Sequence, residues 1–206
     1  MGRRSRHTPE ELRKLAIQSA HQIIAEEGLE GMSARALARR IGYSPGTLYN
    51  LFDSLDELIL EVEALLLDDL EDRLSNLPAE GSPADQLRQI ARAYLSFGRE
   101  NAKVWNLIAQ HQVAPDTVPA WYSERVERLV NRIERALARY PSPLRDNAQS
   151  LRQSARVVWA GLHGIASLST AEKLSRIAHA PADELVDDLI ETYLAGLGER
   201  RRDCRL

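Results

Sequence analysis

Three of the four Ser/Thr–Pro pairs in this chain, Thr8-Pro9, Ser44-Pro45 and Ser82-Pro83, are each followed by apolar residues recurring at helical spacing. A hydroxyl at the N-cap accepts an orphan backbone N–H, while proline at the first helical position has no N–H to satisfy. The pairs are therefore helix starts. Alternating runs bounded by turn residues, the mark of half-buried strands, are missing. The expected class is all-α, with about nine helices: an N-terminal three-helix unit and a larger C-terminal helical domain.

The first helix starts at Pro9, with Glu11 completing a capping box, and stops at Gly28, expected in the left-handed conformation. Ser33 caps a second helix through Arg40 that Gly42 ends, and Ser44-Pro45 opens a third running to about Phe52. Ser54-Leu55-Asp56-Glu57 is a further capping box, opening a fourth helix that must stop by Pro78. Pro, Gly and Ser between 78 and 83 make the clearest break. Beyond it, helices are expected from Pro83, over 102–112, from Pro119 to Tyr140, from beyond Pro143 to about Lys173, and from Pro181 to near Gly198, with a basic tail from Arg200. These divisions give a head over residues 1–53, a connecting helix over 54–80 and a body over 81–206.

Charge separates along the same lines. The whole chain carries −3, which argues mildly against a nucleic-acid partner. Residues 1–52, however, hold eight bases against five acids, a net of +3, leaving −6 for the remainder. No acid lies between Gly31 and Phe52, whereas residues 54–80 contain nine acids against Arg73 alone. A basic head and an acidic body are expected, the acidic face of the fourth helix pointing away from any phosphate.

A short helix, a glycine turn and a second short helix make a helix-turn-helix, whose second helix lies in the DNA major groove. Ser33 and Arg35 stand at the start of the first of these helices, suited to one phosphate. The second begins Tyr43-Ser44-Pro45-Gly46-Thr47, small enough to approach base edges, with Tyr49 and Asn50 one turn on. Leu37, Ile41, Leu48 and Phe52 should bury against Ile23 and Ile24. The arm Arg3, Arg4, Arg6 could follow a groove.

These segments, Ile23-Ile24-Ala25-Glu26-Glu27-Gly28, Ser33-Ala34-Arg35-Ala36-Leu37-Ala38 and the run from Ile41 to Phe52 followed by Leu58, resemble the N-terminal domain of TetR-type transcriptional regulators. The resemblance implies a homodimeric DNA-binding regulator, most often a repressor released from a palindromic operator by a small effector. It also implies DNA contacts at Ser33, Arg35, Ser44, Gly46, Thr47, Tyr49 and Asn50, to which the small first turn of the third helix adds Tyr43 and Pro45 as candidates. One departure is plain: where the family usually has a phosphate-binding lysine, three residues after Phe52, this chain has Leu55. Loss of that contact leaves open a second reading, a helical small-molecule carrier or adaptor with weakened DNA binding.

In the second half, Trp159-Ala160-Gly161-Leu162-His163-Gly164 resembles a segment of one TetR C-terminal domain type. Its small residues allow close helix approach. Gly161, Gly164 and Ser167, with Leu185, Leu189, Ile190 and Tyr193 of the last helix, are the expected dimer interface. Aromatic and polar side chains concentrate between 94 and 163. Tyr94, Phe97, Trp105, Ile108, His111, Trp121, Trp159 and His163 are the candidate lining of a pocket for a largely apolar effector.

Enzyme chemistry finds no support. No Glu-x-x-His pair for a metal, no phosphate-cradling loop, no dinucleotide fingerprint and no thiol with a nearby histidine is present, so neither cofactor nor metal is expected. One cysteine, Cys204, excludes a disulfide framework, and the longest apolar run, residues 64–67, is far short of a membrane span. The expected location is the cytoplasm.

Overall fold

A computed structural model describes residues 7–78, 80–114, 118–142, 147–170 and 180–203, apart from the side chains of Ala109 and of residues 199–203. The described residues are helical, with no strand among them: α1 Pro9–Glu27, α2 Ala34–Ile41, α3 Pro45–Leu48, α4 Leu55–Ser75, α5 Pro83–Glu100, α6 Ala102–Gln110, α7 Ala120–Arg139, α8 Ala148–Thr170 and α9 Ala182–Asp203. A single 3-10 turn, Leu29–Gly31, follows α1. The arm residues Arg3, Arg4 and Arg6 lie outside the described part.

The caps form as the sequence dictates. Thr8 Oγ1 accepts the Glu11 N–H at 3.2 Å while Glu11 Oε2 accepts the Thr8 N–H at 2.8 Å. Ser82 and Asp85 make the same reciprocal pair at the start of α5. Gly42, at φ 76° and ψ 31°, takes the left-handed conformation that a side chain would resist, and so lets α2 and α3 meet across three residues, Gly42, Tyr43 and Ser44. Three expectations need correction. Gly28 has positive φ, 78°, but ψ of −179°, so α1 ends in an extended turn rather than a left-handed cap. Glu57 turns its carboxylate to the Asp53 N–H, at 2.6 Å, so the box at α4 is closed one residue early. Finally, α9 runs through Gly198 to Asp203, the run of arginines being good helix formers at the end where cations suit the dipole.

The chain divides into two compact units: residues 1–66 with 103–118, and residues 67–102 with 119–206. This division differs from one at 53 and 80, because α6 joins the N-terminal helices. In the first unit Ile23, Ile24, Leu37, Leu48, Phe52 and Leu58 are buried, as are Val104, Trp105 and Leu107 of α6. Lys103 Nζ donates to the Glu26 carbonyl at 2.5 Å, satisfying a last-turn oxygen of α1. In the second unit the buried faces are Leu87, Ala91 and Leu95 of α5, Leu129, Ile133 and Leu137 of α7, Ala155, Val158 and Leu162 of α8, and Val186, Ile190 and Leu194 of α9.

The acids of α4 are not a free acidic face. Glu57 and Glu61 pair with Arg13, Asp56 and Glu63 with His111, Asp68 with Arg125 and Arg128, and Glu71 with Arg132. Basic side chains from α1, α7 and the segment after α6 thus meet six of the nine acids that the sequence shows between 54 and 80.

Candidate nucleic-acid interface

Everything that presents α3 is fixed from beneath. Leu48 and Phe52, 4% exposed each, anchor the helix on the first unit's core. Arg13 of α1 stacks over Phe52, its Cζ 4.3 Å from the ring centroid, and donates to the Leu51 carbonyl. It also binds Glu57 and Glu61, each at 2.7 Å. Burial alone would raise the Glu57 carboxyl, but Arg13 and the Asp53 N–H outweigh it and hold it below the ordinary carboxylate range. One guanidinium thus joins α1, the end of the recognition segment and α4.

The helix itself is shorter than expected. Regular α-helix ends at Leu48, and the chain reaches Phe52 through turns in which Asn50 and Leu51 donate back three residues, to Thr47 and Leu48. Such 3-10-type closure is common at helix ends. Above this base, Ser44, Pro45, Gly46, Tyr49 and Asn50 are exposed and Thr47 is half-buried, Tyr49 at 61%. Ser44 makes no capping bond; its hydroxyl lies 3.0 Å from that of Thr47. Tyr43 is half-buried, its hydroxyl 2.8 Å from His7 Nδ1, which ties the first described residue to the turn.

On α2, Ser33 Oγ accepts the Ala36 N–H at 3.1 Å, and Arg35 and Arg39 are exposed. Arg40 is held by Glu26 at 2.7 and 2.8 Å, a pairing that keeps the Glu26 carboxyl below its usual range. Of the basic residues counted in the head, Arg13 and Arg40 are therefore internally paired, and the exposed positive charge on α2 is Arg35 and Arg39. Leu55 is half-buried in a small niche with Ala34, Leu48, Tyr49, Phe52, Ser54 and Leu58, where it adds apolar contact in place of the family's cation.

The eight candidate effector residues do not gather in one place. Trp105, Ile108 and His111 belong to the first unit and the other five to the second. Trp105, Tyr94 and Phe97 are core, at 1%, 4% and 6% exposed, because large aromatic faces gain most from full burial. His111 has both ring nitrogens engaged, Nδ1 with Glu63 at 2.9 Å and Nε2 with Asp56 at 3.3 Å. Glu63 is the main cause that raises its pKa, against burial, with Asp56 adding to the rise. Trp121 lies beneath Arg125, 5.5 Å from the ring centroid. Tyr94, Trp159 and His163 do meet: Tyr94 Oη is 3.0 Å from His163 Nδ1, and Trp159 stacks on the imidazole at 5.6 Å. Burial pushes the Tyr94 hydroxyl up and the His163 imidazole down, so both are neutral near pH 7. The described cavities of 430 and 310 Å³ are lined by other residues.

The expected interface residues also separate. A Cβ on Gly161 would lie 2.7 Å from Leu189 Cδ2 of the same chain, so this glycine packs α8 against α9 within one subunit. Ile190, at 1% exposed, points into the subunit core and is removed from the set. Ser167, Leu185 and Tyr193 are half-buried, and Gly164 is exposed with nothing within 4 Å of its Cβ position.

Fold and surface define a helix-turn-helix protein with a separate helical body. The family model described as "Bacterial regulatory proteins, tetR family" matches residues 16–62, and "Tetracyclin repressor-like, C-terminal domain" matches residues 87–193, over half of the chain. The chain belongs to the TetR family and is a DNA-binding transcriptional regulator. It is 24% identical over 193 residues to the uncharacterized HTH-type transcriptional regulator YobS of Bacillus subtilis, covering 89% of this chain and 91% of that one. The HTH-type transcriptional regulator BetI of Rhizobium meliloti is 26% identical over 181 residues, 86% of this chain and 75% of BetI. Among solved structures, Thermus thermophilus FadR, a TetR family repressor in complex with lauroyl-CoA, superposes with a TM-score of 0.66 at 20% identity, covering 90% and 94% of the two chains. No helix among the described residues is long and apolar enough to cross a membrane.

Proposed function

We propose that the protein is a cytoplasmic repressor that sits as a homodimer on a palindromic operator and is released by a small, largely apolar effector. The observation that carries the DNA reading is the exposure of Ser44, Pro45, Gly46, Tyr49 and Asn50, together with Arg35 and Arg39, on a unit clamped by Arg13. Ser33, Arg35, Tyr49 and Asn50 serve phosphates or base edges. The Ser33 hydroxyl still has its proton to donate while its oxygen caps α2. Ser44, Pro45, Gly46 and Thr47 face the bases. Tyr43, its hydroxyl 2.8 Å from His7 Nδ1, adds a contact from the recognition turn, and the basic arm Arg3, Arg4, Arg6 is the further candidate for a groove. The protein works by binding, not by catalysis.

A second copy is the proposed occupant of the face formed by α8 and α9. Val157, 45% exposed, Ala160, Gly164 and Leu168, 39% exposed, make an apolar row at helical spacing along α8. Beside it on α9 lies a 430 Å³ groove lined by Asp188, Leu189, Thr192, Tyr193, Gly196 and Leu197. Small and apolar residues in rows on two adjacent helices suit an isologous four-helix contact. Dimerisation sets two recognition helices about one DNA turn apart. The effector binds the C-terminal unit, with Tyr94, Trp159 and His163 as an apolar cluster bearing neutral polar handles. Lauroyl-CoA in FadR is the precedent for a ligand with an apolar body. By linkage, effector must bind free protein more tightly than DNA-bound protein, by the factor that it weakens DNA binding.

The test is an electrophoretic shift with DNA flanking the protein's own gene. A palindrome-dependent shift that Arg35→Ala abolishes is expected. Failure of every flanking segment to shift would favour the carrier reading instead.

A further inference from the structure

The last turn of α4, the first turns of α5 and the last turns of α7 enclose a cavity of about 310 Å³, at the small end of the range for ligand pockets. Its apolar lining is Leu74, Leu77, Pro78, Ile90 and Ala136, with Ser75, Gln86 and Gln89 as neutral polar members. Its eleven lining residues include three arginines, all from α7, and no acid. Arg132 is committed to the wall, bound to Glu71, to the Leu74 carbonyl at 3.2 Å and to Ser75 Oγ at 2.8 Å. Arg135 and Arg139, exposed one turn apart, are in a different position: Arg135 uses its Nε on the Asn131 carbonyl at 3.3 Å, which orients its remaining N–H groups. The lining thus combines two exposed cations whose charge no lining residue balances with the buried apolar side chains of Leu74, Ile90 and Ala136.

We infer that this cavity binds an organic anion with an apolar body, its carboxylate or phosphate held by Arg135 and Arg139 and its chain laid over Leu74, Leu77 and Ile90. The chemistry follows from the two halves of the lining. A guanidinium pair at i and i+4 offers forked donors to a planar or tetrahedral oxyanion. An inorganic anion alone would leave the apolar lining wet, and a neutral apolar molecule would leave the guanidinium groups unanswered. The inference deepens the effector reading and rests on it only for any consequence on DNA; binding itself is independent of that reading. None of the eight aromatic and polar candidates takes part, so the site is separate from the Tyr94–Trp159–His163 cluster.

The experiment is calorimetric titration of the full-length protein with octanoate, octyl phosphate, 1-octanol and octyltrimethylammonium. The anions are expected to bind at least about tenfold more tightly than the alcohol or the cation, their order distinguishing a carboxylate from a phosphate ligand. Arg135→Gln with Arg139→Gln should remove that preference while leaving circular dichroism and DNA binding unchanged, since both side chains are exposed and far from α3 in sequence. Equal affinity for octanoate and octanol, no binding of either anion, or anion binding undiminished in the double variant would each overturn the proposal. A protein that binds octanoate yet stays on DNA supports this site and removes the ligand from the effector role.

Discussion

The Arg13 guanidinium lies over the Phe52 ring, its Cζ 4.3 Å from the centroid, and from there reaches both Glu57 and Glu61 of α4. Arg13→Ala takes the cation from two half-buried carboxylates, leaving Glu57 only the Asp53 N–H, and uncovers the ring. The expected cost is about 1–3 kcal/mol, read as a lower urea midpoint. Arg13→Lys should recover less than half of it, because one ammonium cannot stack and serve three acceptors together.

Arg35→Ala should weaken binding to every DNA sequence and reduce the slope of log affinity against log salt by about one. Ser44→Ala or Thr47→Ala should instead change which operator half-site is preferred, as read by competition among operator variants. If all three act alike, the division between phosphate and base contacts on this surface is wrong.

His111 gives the first unit a pH dependence of definite sign. Its imidazole is favoured in the charged form by Glu63 and Asp56, so its folded pKa exceeds the unfolded value of about 6.5. The stabilisation is complete below that unfolded value and is lost as pH rises through the folded one. Melting temperature should therefore decline as pH rises above about 6.5, and His111→Gln should flatten that decline.

Val157→Glu places a charge on the exposed α8 row and should shift the protein toward monomer in sedimentation velocity, with little change in secondary structure. Gly161→Val probes the opposite face of the argument. Its new Cβ meets Leu189 at 2.7 Å within the same chain, so it should lower stability by about 1–3 kcal/mol whatever the assembly state.

What the sequence discloses is local. Thr8, Ser33 and Ser82 make their capping bonds, and Gly42 makes its turn, because each depends on neighbours within four residues. Ends are less legible: α3 closes at Leu48 through turn bonds, and α9 overrides Gly198. Long-range pairing is not legible at all. The acids after residue 54 read as a negative surface, yet Arg13, Arg125, Arg132 and His111 come from elsewhere in the chain to meet them. The aromatics misled for a similar reason. Their clustering in sequence falls across two units, and Trp105 serves a core, whereas the cationic pocket is assembled from arginines that look like an ordinary solvated helix face.

That α6 is counted with the N-terminal helices means the DNA-binding half is not a contiguous gene segment. A fragment ending at residue 66 would encode Glu26 without Lys103, Glu63 without His111, and a hydrophobic interior missing Trp105. Recombination that exchanged heads between relatives at such a point would draw these partners from different parents. Grafts that specify a new operator should therefore either carry residues 103–118 along with the head or confine themselves to the outward side chains of α2 and α3.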